Sequence, residues 1–356
     1  MEQELGGTME STPIRRRPTV HDVARAAGVS HATVSRHVNG HTNVAPATAT
    51  AIDDAVKAIG YVPNRTARSL VRRETNTVAF VVREHVDLFY ADPTLSRMAA
   101  GANAFFAERG FLMPLLLVDS PPTAQRVIHM IQGGAVDGAL LGAMTTDDPV
   151  VTALRGSFVP IVTASTPVID DNVAWVDTDN QTGTRTITQL LRATGRHRVA
   201  EIRGPASMPV SALRHRGFVE ALGDDYDPSL VVDATEWSFE AGAAGMATLL
   251  ELGRDIDGVV AASDLLAAGA VSVLAARGLV VPDDVAVVGF DDSPIATITR
   301  PALTTVRQDS HATGWEMASL LMRIINREPI EQPHVLVPSS VVWRESAGAH
   351  PAPSCG

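Results

Sequence analysis

From Thr77 onward the chain alternates short, unbroken apolar runs with stretches of helical period. Val78–Val82, Phe111–Val118, Ala139–Leu141, Pro160–Thr163, Val173–Val176, Val199–Ile202, Leu230–Asp233, Gly258–Ala262 and Val285–Gly289 read as strands. Thr94–Arg109, Ala124–Gly133, Val150–Leu154, Gly183–Ala193, Val210–Leu222, Ala241–Leu252, Leu265–Arg277 and His311–Arg327 read as helices. A strand that is apolar along its whole length must be covered on both faces, and a parallel neighbour is reached only through a crossover. The pattern therefore predicts parallel, doubly wound α/β sheets. About 270 residues is large for one sheet, so two lobes are expected. Ligands of such sheets bind beyond the carboxyl ends of the strands, here in the cleft between the lobes.

The residues before this region follow a different pattern. Thr19–Asn39 reads as two short amphipathic helices joined by a turn. Val20, Val23, Ala24 and Ala27 share one helical face. Thr19 is placed to cap that helix, Gly28 to close it at positive φ, and Ser30 to cap the next. Val34 and Val38 point back at the first helix, while His31, Ala32, Ser35 and Arg36 face outward. Small and polar groups at a helix start, with an Arg one turn on, suit a DNA major groove. A third helix follows over 46–59, apolar at Ala51, Ile52, Ala55, Val56 and Ile59 and ended by Gly60. Beyond Pro63, Asn64 can cap a helix of only about seven residues, too short to hold by itself in water. Leu70 is an apolar residue in that basic segment.

Charge divides the chain at one boundary. Residues 11–73 hold ten Arg and Lys against three Asp, a net +7, whereas residues 74–356 carry −15 of the total −11, with −3 on residues 1–10. A basic head on an acidic body points to a polyanion met by the head alone. The basic head also argues against the alternative of a sugar-binding transport protein without DNA function. The lone cysteine, Cys355, rules out an internal disulfide. No secretory leader and no apolar run long enough to span a membrane is present, so a cytoplasmic protein is expected. GxGxxG, phosphate-loop and HExxH motifs are missing, and the 11 histidines lack metal-ligand spacing. No enzyme, metal or cofactor is expected.

The order of motifs resembles the LacI/GalR family of transcriptional repressors. It is carried by TVHDVARAAGVSHATVSRHVNG at 19–40, GYVPNRTARSL at 60–70, AWVDTDNQTGTRTITQLL at 174–191, GRHRVAEIRGP at 195–205, RHRGF at 214–218, VPDDVAVVGFDD at 281–292 and RPALTTVRQD at 300–309. Residues 1–18 read as a disordered N-terminal arm, and the resemblance implies an all-α helix-turn-helix domain over 19–62. A hinge helix and linker over 63–75 follow. It also implies a periplasmic-binding-protein-like core over 76–345, with an N-lobe of about 76–177 and 307–338 and a C-lobe of about 178–306 and 339–345. Crossings are expected near Asp177–Asp179, Thr305–Gln308 and Pro338–Ser340. Residues 346–356, rich in Ala, Pro, Gly and Ser, read as a disordered tail.

In function the resemblance implies a homodimer on palindromic operator DNA, controlled by a small-molecule effector, a sugar or sugar derivative. The positions expected to meet DNA are Thr19, Ser30, His31, Ala32, Thr33, Ser35, Arg36, Asn39, Asn64, Arg65, Ala67 and Leu70, the last as a minor-groove wedge. The effector is expected at Asp92, Arg214, Trp237, Ser263, Asp264, Asp291 and Gln308. Several departures from the family stand out. Thr94-Leu95 replaces a pair of aromatics, Ser263 stands where Asn is usual, Ala45 replaces a capping Ser, and His31-Ala32 is an uncommon base-reading pair. Leu70→Ala should weaken operator binding far more than non-specific binding in gel-shift titrations; equal losses on both DNAs would contradict the wedge.

Overall fold

The computed structural model describes residues 16, 18–38, 43–61, 74–91, 93–165 and 173–351. The chain separates into two compact units, residues 1–75 and 76–356. In the first, α1 (Val20–Ala27), α2 (His31–Val38) and α3 (Pro46–Ile59) enclose Val23, Ala24, Val34, Ile52 and Ala55. The punctuation is that expected from the residues. Thr19 and Asp22 form a reciprocal capping box, with the Asp22 carboxylate accepting from the Thr19 backbone N–H at 2.8 Å. Gly28 closes α1 in the left-handed conformation, and the Ser30 hydroxyl accepts from the Thr33 N–H at 3.2 Å. His37 reaches Asp53 at 2.8 Å and ties α2 to α3. Ala45 gives α3 no side-chain cap, a loss of about 1 kcal/mol against a serine. Asn39, Asn64, Arg65, Ala67 and Leu70, with most of the expected arm and hinge, lie outside the described residues.

The second unit holds two six-stranded sheets. The first contains β1 (Val78–Val82), β2 (Leu115–Leu117), β3 (Gly138–Gly142), β4 (Ile161–Ala164), β5 (Ala174–Thr178) and β11 (His334–Val337), in the order β11-β5-β4-β3-β1-β2, all parallel. The second contains β6 (Val199–Arg203), β7 (Val231–Asp233), β8 (Gly258–Ala261), β9 (Ala286–Asp291), β10 (Thr304–Arg307) and β12 (Ser340–Val342), in the order β12-β10-β9-β8-β6-β7. Its first five strands are parallel, but β12 runs antiparallel to β10, so this sheet is not wholly parallel. Each lobe thus repeats one doubly wound order, 2-1-3-4-5, and takes its sixth strand from the end of the chain.

Helices cover both faces: α4 (Val86–Ala91), α5 (Pro93–Ala107), α6 (Pro121–Gln132), α7 (Pro149–Leu154) and α13 (Ser310–Ile325) on the first sheet, and α8 (Asn180–Ala193), α9 (Pro209–Leu222), α10 (Phe239–Glu251), α11 (Asp264–Ala276) and α12 (Pro294–Ile298) on the second. The chain passes between the lobes at Asp179, at Gln308–Asp309 and at Pro338–Ser339. Away from these crossings the lobes also touch at Thr146, whose backbone N–H donates to the Ser207 carbonyl at 3.1 Å.

Two expectations are corrected. Thr305 lies inside β10 rather than in a crossing. Residues 346–351 are described as ordered chain, and the first of them are not tail. Ser346 is buried, and its hydroxyl accepts from the Thr304 N–H at 2.8 Å and donates to the Val287 carbonyl at 2.5 Å. Among the described residues no helix is long and apolar enough to cross a membrane.

Helices α5 and α13 cross at glycines. A Cβ on Gly101 would stand 2.0 Å from the His311 carbonyl oxygen, and one on Gly314 1.8 Å from that of Met98. Both neighbours are backbone and cannot swing aside. Gly314→Ala should therefore cost about 1–3 kcal/mol and lower the melting temperature of the core by several degrees in a thermal scan.

Candidate functional site

The carboxyl ends of β1, β3, β4, β5, β6, β8 and β9 converge on a cleft between the lobes. It encloses about 850 Å³, counting the part open to solvent. Its polar side is built around Arg214, on the second turn of α9 and only 5% exposed. The Arg214 Nε donates to Asn180 Oδ1 at 2.9 Å, and Nη1 donates to the Ala262 carbonyl and lies 3.4 Å from Asp291 Oδ1. The guanidinium stacks 3.6 Å over the Phe290 ring and 5.7 Å from that of Trp237. Gln308 joins this group from the second crossing: its amide N–H donates to Asp291 Oδ1 at 2.7 Å and its oxygen accepts from the Thr178 hydroxyl at 3.2 Å. Asn180 in turn donates to Asp177 at 3.0 Å and to the Thr178 carbonyl at 2.9 Å. These groups form a closed ring of hydrogen bonds through Asn180, Arg214, Asp291, Gln308 and Thr178.

Besides these groups and the polar Glu84, Thr94 and Ser165, the lining has apolar members. Leu95, Met98 and Met144 come from the first lobe, Met208 and Val210 from the second. Trp237 lies at the edge over Gly204, where a Cβ would stand 2.1 Å from the indole, so only glycine lets the ring lie this close to the strand. Hydrogen-bonding groups joined with apolar and aromatic surface suit a ring with hydroxyls on its edge and C–H bonds on its face.

In the head, Ser30, His31, Ala32 and Arg36 are exposed, while Thr33 and Ser35 are half-buried. Thr19 uses its hydroxyl within the capping box, donating to Asp22 at 2.7 Å. The Arg36 guanidinium folds back to the Ala32 carbonyl at 3.3 Å.

Comparison with known proteins agrees with both halves of this picture. Residues 19–64 match the model for bacterial regulatory proteins of the lacI family, and residues 188–347 that for the periplasmic binding protein-like domain. The chain is 42% identical over 337 residues to the HTH-type transcriptional regulator CelR of Thermobifida fusca, covering 93% of this chain and 99% of the relative. The chain belongs to the LacI family. It is also 30% identical over 340 residues to the HTH-type transcriptional repressor CytR of Escherichia coli K12, covering 94% and 97% of the two chains. Among solved structures it resembles a CelR–cellobiose complex, with TM-score 0.74 and 39% identity over 93% of this chain and all of that one. It shares the fold of a lac repressor dimer bound to operator and an anti-inducer, with TM-score 0.81, 24% identity and 94% of this chain covered against 100% of that one. As a LacI-family member it is a DNA-binding transcriptional regulator.

Set against this LacI-family fold, the expected effector positions divide. Arg214, Trp237, Asp291 and Gln308 line the cleft together. Asp92 lies outside the described residues. Ser263 and Asp264 do not line the cleft. The Ser263 hydroxyl turns inward and caps α11 by accepting from the Leu266 N–H at 3.3 Å. Asp264, fully buried, accepts from the Ser293 N–H at 2.7 Å and the Thr305 hydroxyl at 2.6 Å. Its role is to hold the loop behind the site. That loop is strained: Asp291 and Asp292 have φ of 115° and 54°, conformations costing about 1–3 kcal/mol each for residues other than glycine. Arg307 and Arg344 clamp Asp292 at 2.6 and 2.5 Å. Partial burial opposes ionisation of Asp292, but these two guanidinium groups outweigh it and hold the carboxyl below its usual range. Sequence reasoning overlooked Asp177 and Asn180, although they stand in the DTDN run at the end of a strand, and Met98, Met144 and Met208, which read as core.

Burial pushes the Asp264 carboxyl up to about 7, and the charge of Asp292 adds to the rise against the hydrogen bonds from Thr305 and Ser293. The folded chain therefore holds a proton that the unfolded chain, with its ordinary value of 3.8, has released. Stability from this group is complete below pH 3.8 and is lost as the pH rises to about 7. In thermal melts the wild type should lose ground to Asp264→Asn across that window and no further above it.

Proposed function

We propose that this regulator is a homodimeric repressor whose hold on a palindromic operator is set by a neutral sugar, a β-linked glucose disaccharide such as cellobiose, bound in the interlobe cleft. The observation that carries the reading is the buried Arg214 fork. It is oriented by Asn180 and Asp291 beside the Trp237 indole, in a cleft with apolar members in its lining. A guanidinium fork donates to paired ring hydroxyls, Asp291 and Gln308 accept and donate beside it, and an indole covers the C–H face of the sugar. The likeness to CelR, which has been solved with cellobiose, supports a disaccharide. The expected DNA contacts through Ser30, His31, Ala32 and Arg36 are supported by their exposure at the start of α2. The role is one of binding rather than catalysis and belongs in the cytoplasm.

Both crossings at Asp179 and Gln308 adjoin groups that a ligand would touch, so a ligand that redistributes the ring of hydrogen bonds also biases the angle between the lobes. Coupling to operator affinity follows if the two lobe arrangements differ in DNA affinity.

Isothermal titration should show cellobiose binding well above glucose or a sugar phosphate. Arg214→Ala should weaken that binding about 10- to 100-fold, the loss of charge-assisted hydrogen bonds, and leave the gel-shift titration without sugar unchanged. Loss of DNA binding as well would point to misfolding. Equal affinity for every sugar tried would overturn the reading.

A further inference from the structure

Two exposed histidines of the head are in contact. His21, in the first turn of α1, and His31, the first residue of α2, stack face to face with ring centroids 4.6 Å apart and planes 20° from parallel. Both residues are exposed, and neither belongs to the cluster that holds the three helices together. The stack is thus a surface arrangement that the head does not need for its core. Its origin lies in helix geometry. A side chain leans toward the N-terminus of its own helix, so the His31 ring projects back past Ser30, toward the first turn of α1, and meets the His21 ring there.

We propose that His21 and His31 read the operator as one unit, with His21 as a positioning residue that sets the edge His31 presents to the bases. The proposal rests on the reading of His31 as a base-contacting residue. The torsion that turns an imidazole ring about its bond to Cβ is broad and nearly two-fold. Left to itself the His31 ring would offer its nitrogens in a range of directions. A second ring lying flat on one face removes most of that range and leaves one edge outward. In the major groove each base pair shows a fixed pattern of donors and acceptors, so a ring held in one plane discriminates among them better than a turning one. Position 32 adds weight to this. Ala32 has only a methyl group, so hydrogen-bonding readout at the very start of α2 falls on His31.

The test uses the full chain and a double-stranded DNA library carrying a randomised inverted repeat. Sites are selected by wild type, His31→Ala, His21→Ala, His21→Phe and the double alanine variant, and affinities are then measured for all four base pairs at each position. His31→Ala is expected to relax preference at one position of each half-site. His21→Ala should relax preference at that same position by about threefold to tenfold, the scale of one aromatic contact. His21→Phe, which keeps a flat ring in the stack, should restore the preference, and the double variant should match His31→Ala. A merely structural role for His21 would lower affinity evenly for every sequence and so overturn the proposal. Relaxed preference at a different position would do the same, since His21 would then read a base of its own. If His31→Ala relaxes nothing, the base-contacting role of His31 fails and the proposal with it. If His31→Ala relaxes one position and both His21 variants retain full preference there, the proposal alone fails.

Discussion

A charged guanidinium buried at the meeting of two lobes is costly unless every one of its hydrogens finds a partner. Arg214 has Nε and Nη1 engaged in this way. Asn180, the Ala262 carbonyl and Asp291 surround it in the plane, and Phe290 lies beneath it. Each partner comes from a different element, so the position of α9, the ends of β8 and β9 and the start of α8 are fixed by one side chain. The strain in the loop at Asp291 and Asp292 is held in place by the same arrangement. The Asp291 carboxylate faces Arg214 and Gln308, while Asp292 is anchored in the other direction by Arg307 and Arg344. Removing the ion pair would leave a buried charge and, at Asp291, a φ of 115° that residues other than glycine seldom adopt.

The repeated strand order in the two lobes explains why the site forms where it does. In each sheet the neighbouring strands on either side of the first connect in opposite directions, which opens a crevice at their carboxyl ends. Two such crevices face each other. The chain has only to place its lining residues after β1, β3, β4 and β5 in one lobe and after β6, β8 and β9 in the other. The lining of this cleft joins a hydrogen-bonded ring to a wall rich in methionine, with the polar Glu84, Thr94 and Ser165 of the first lobe also in it. Methionine adapts its shape to a partner, so the polar ring supplies orientation and the wall supplies area.

Much of this could be read in the residues before any coordinates. The caps at Thr19, Gly28 and Ser30 were legible because capping depends on local chemistry alone. The long apolar strands were legible because burial on both faces leaves an unbroken run. The strands at Thr304–Arg307, His334–Val337 and Ser340–Val342 were not, since each is three or four residues long with polar positions interspersed. Tertiary pairing, not local pattern, makes them strands. Ser263 and Asp264 show the limit for the site. Both stand at the carboxyl end of β8, as cleft residues do, and nothing local tells that the hydroxyl turns back to its own helix and the carboxylate to a neighbouring loop. The tail was misjudged for a related reason. Composition favoured disorder from Ser346, but one buried hydroxyl with two partners makes that residue part of the second lobe.

The exchange of closing strands has a consequence for how the protein is made. β11 completes the first sheet and β12 the second, and both come from residues 334–342. During synthesis the three helices of the head have their entire core as soon as residue 61 has emerged. Neither lobe can finish its sheet until residues 334–342 have left the ribosome. The part that recognises DNA is therefore able to fold well before the part that regulates it, and the two lobes, each waiting on the same short segment, are completed nearly together.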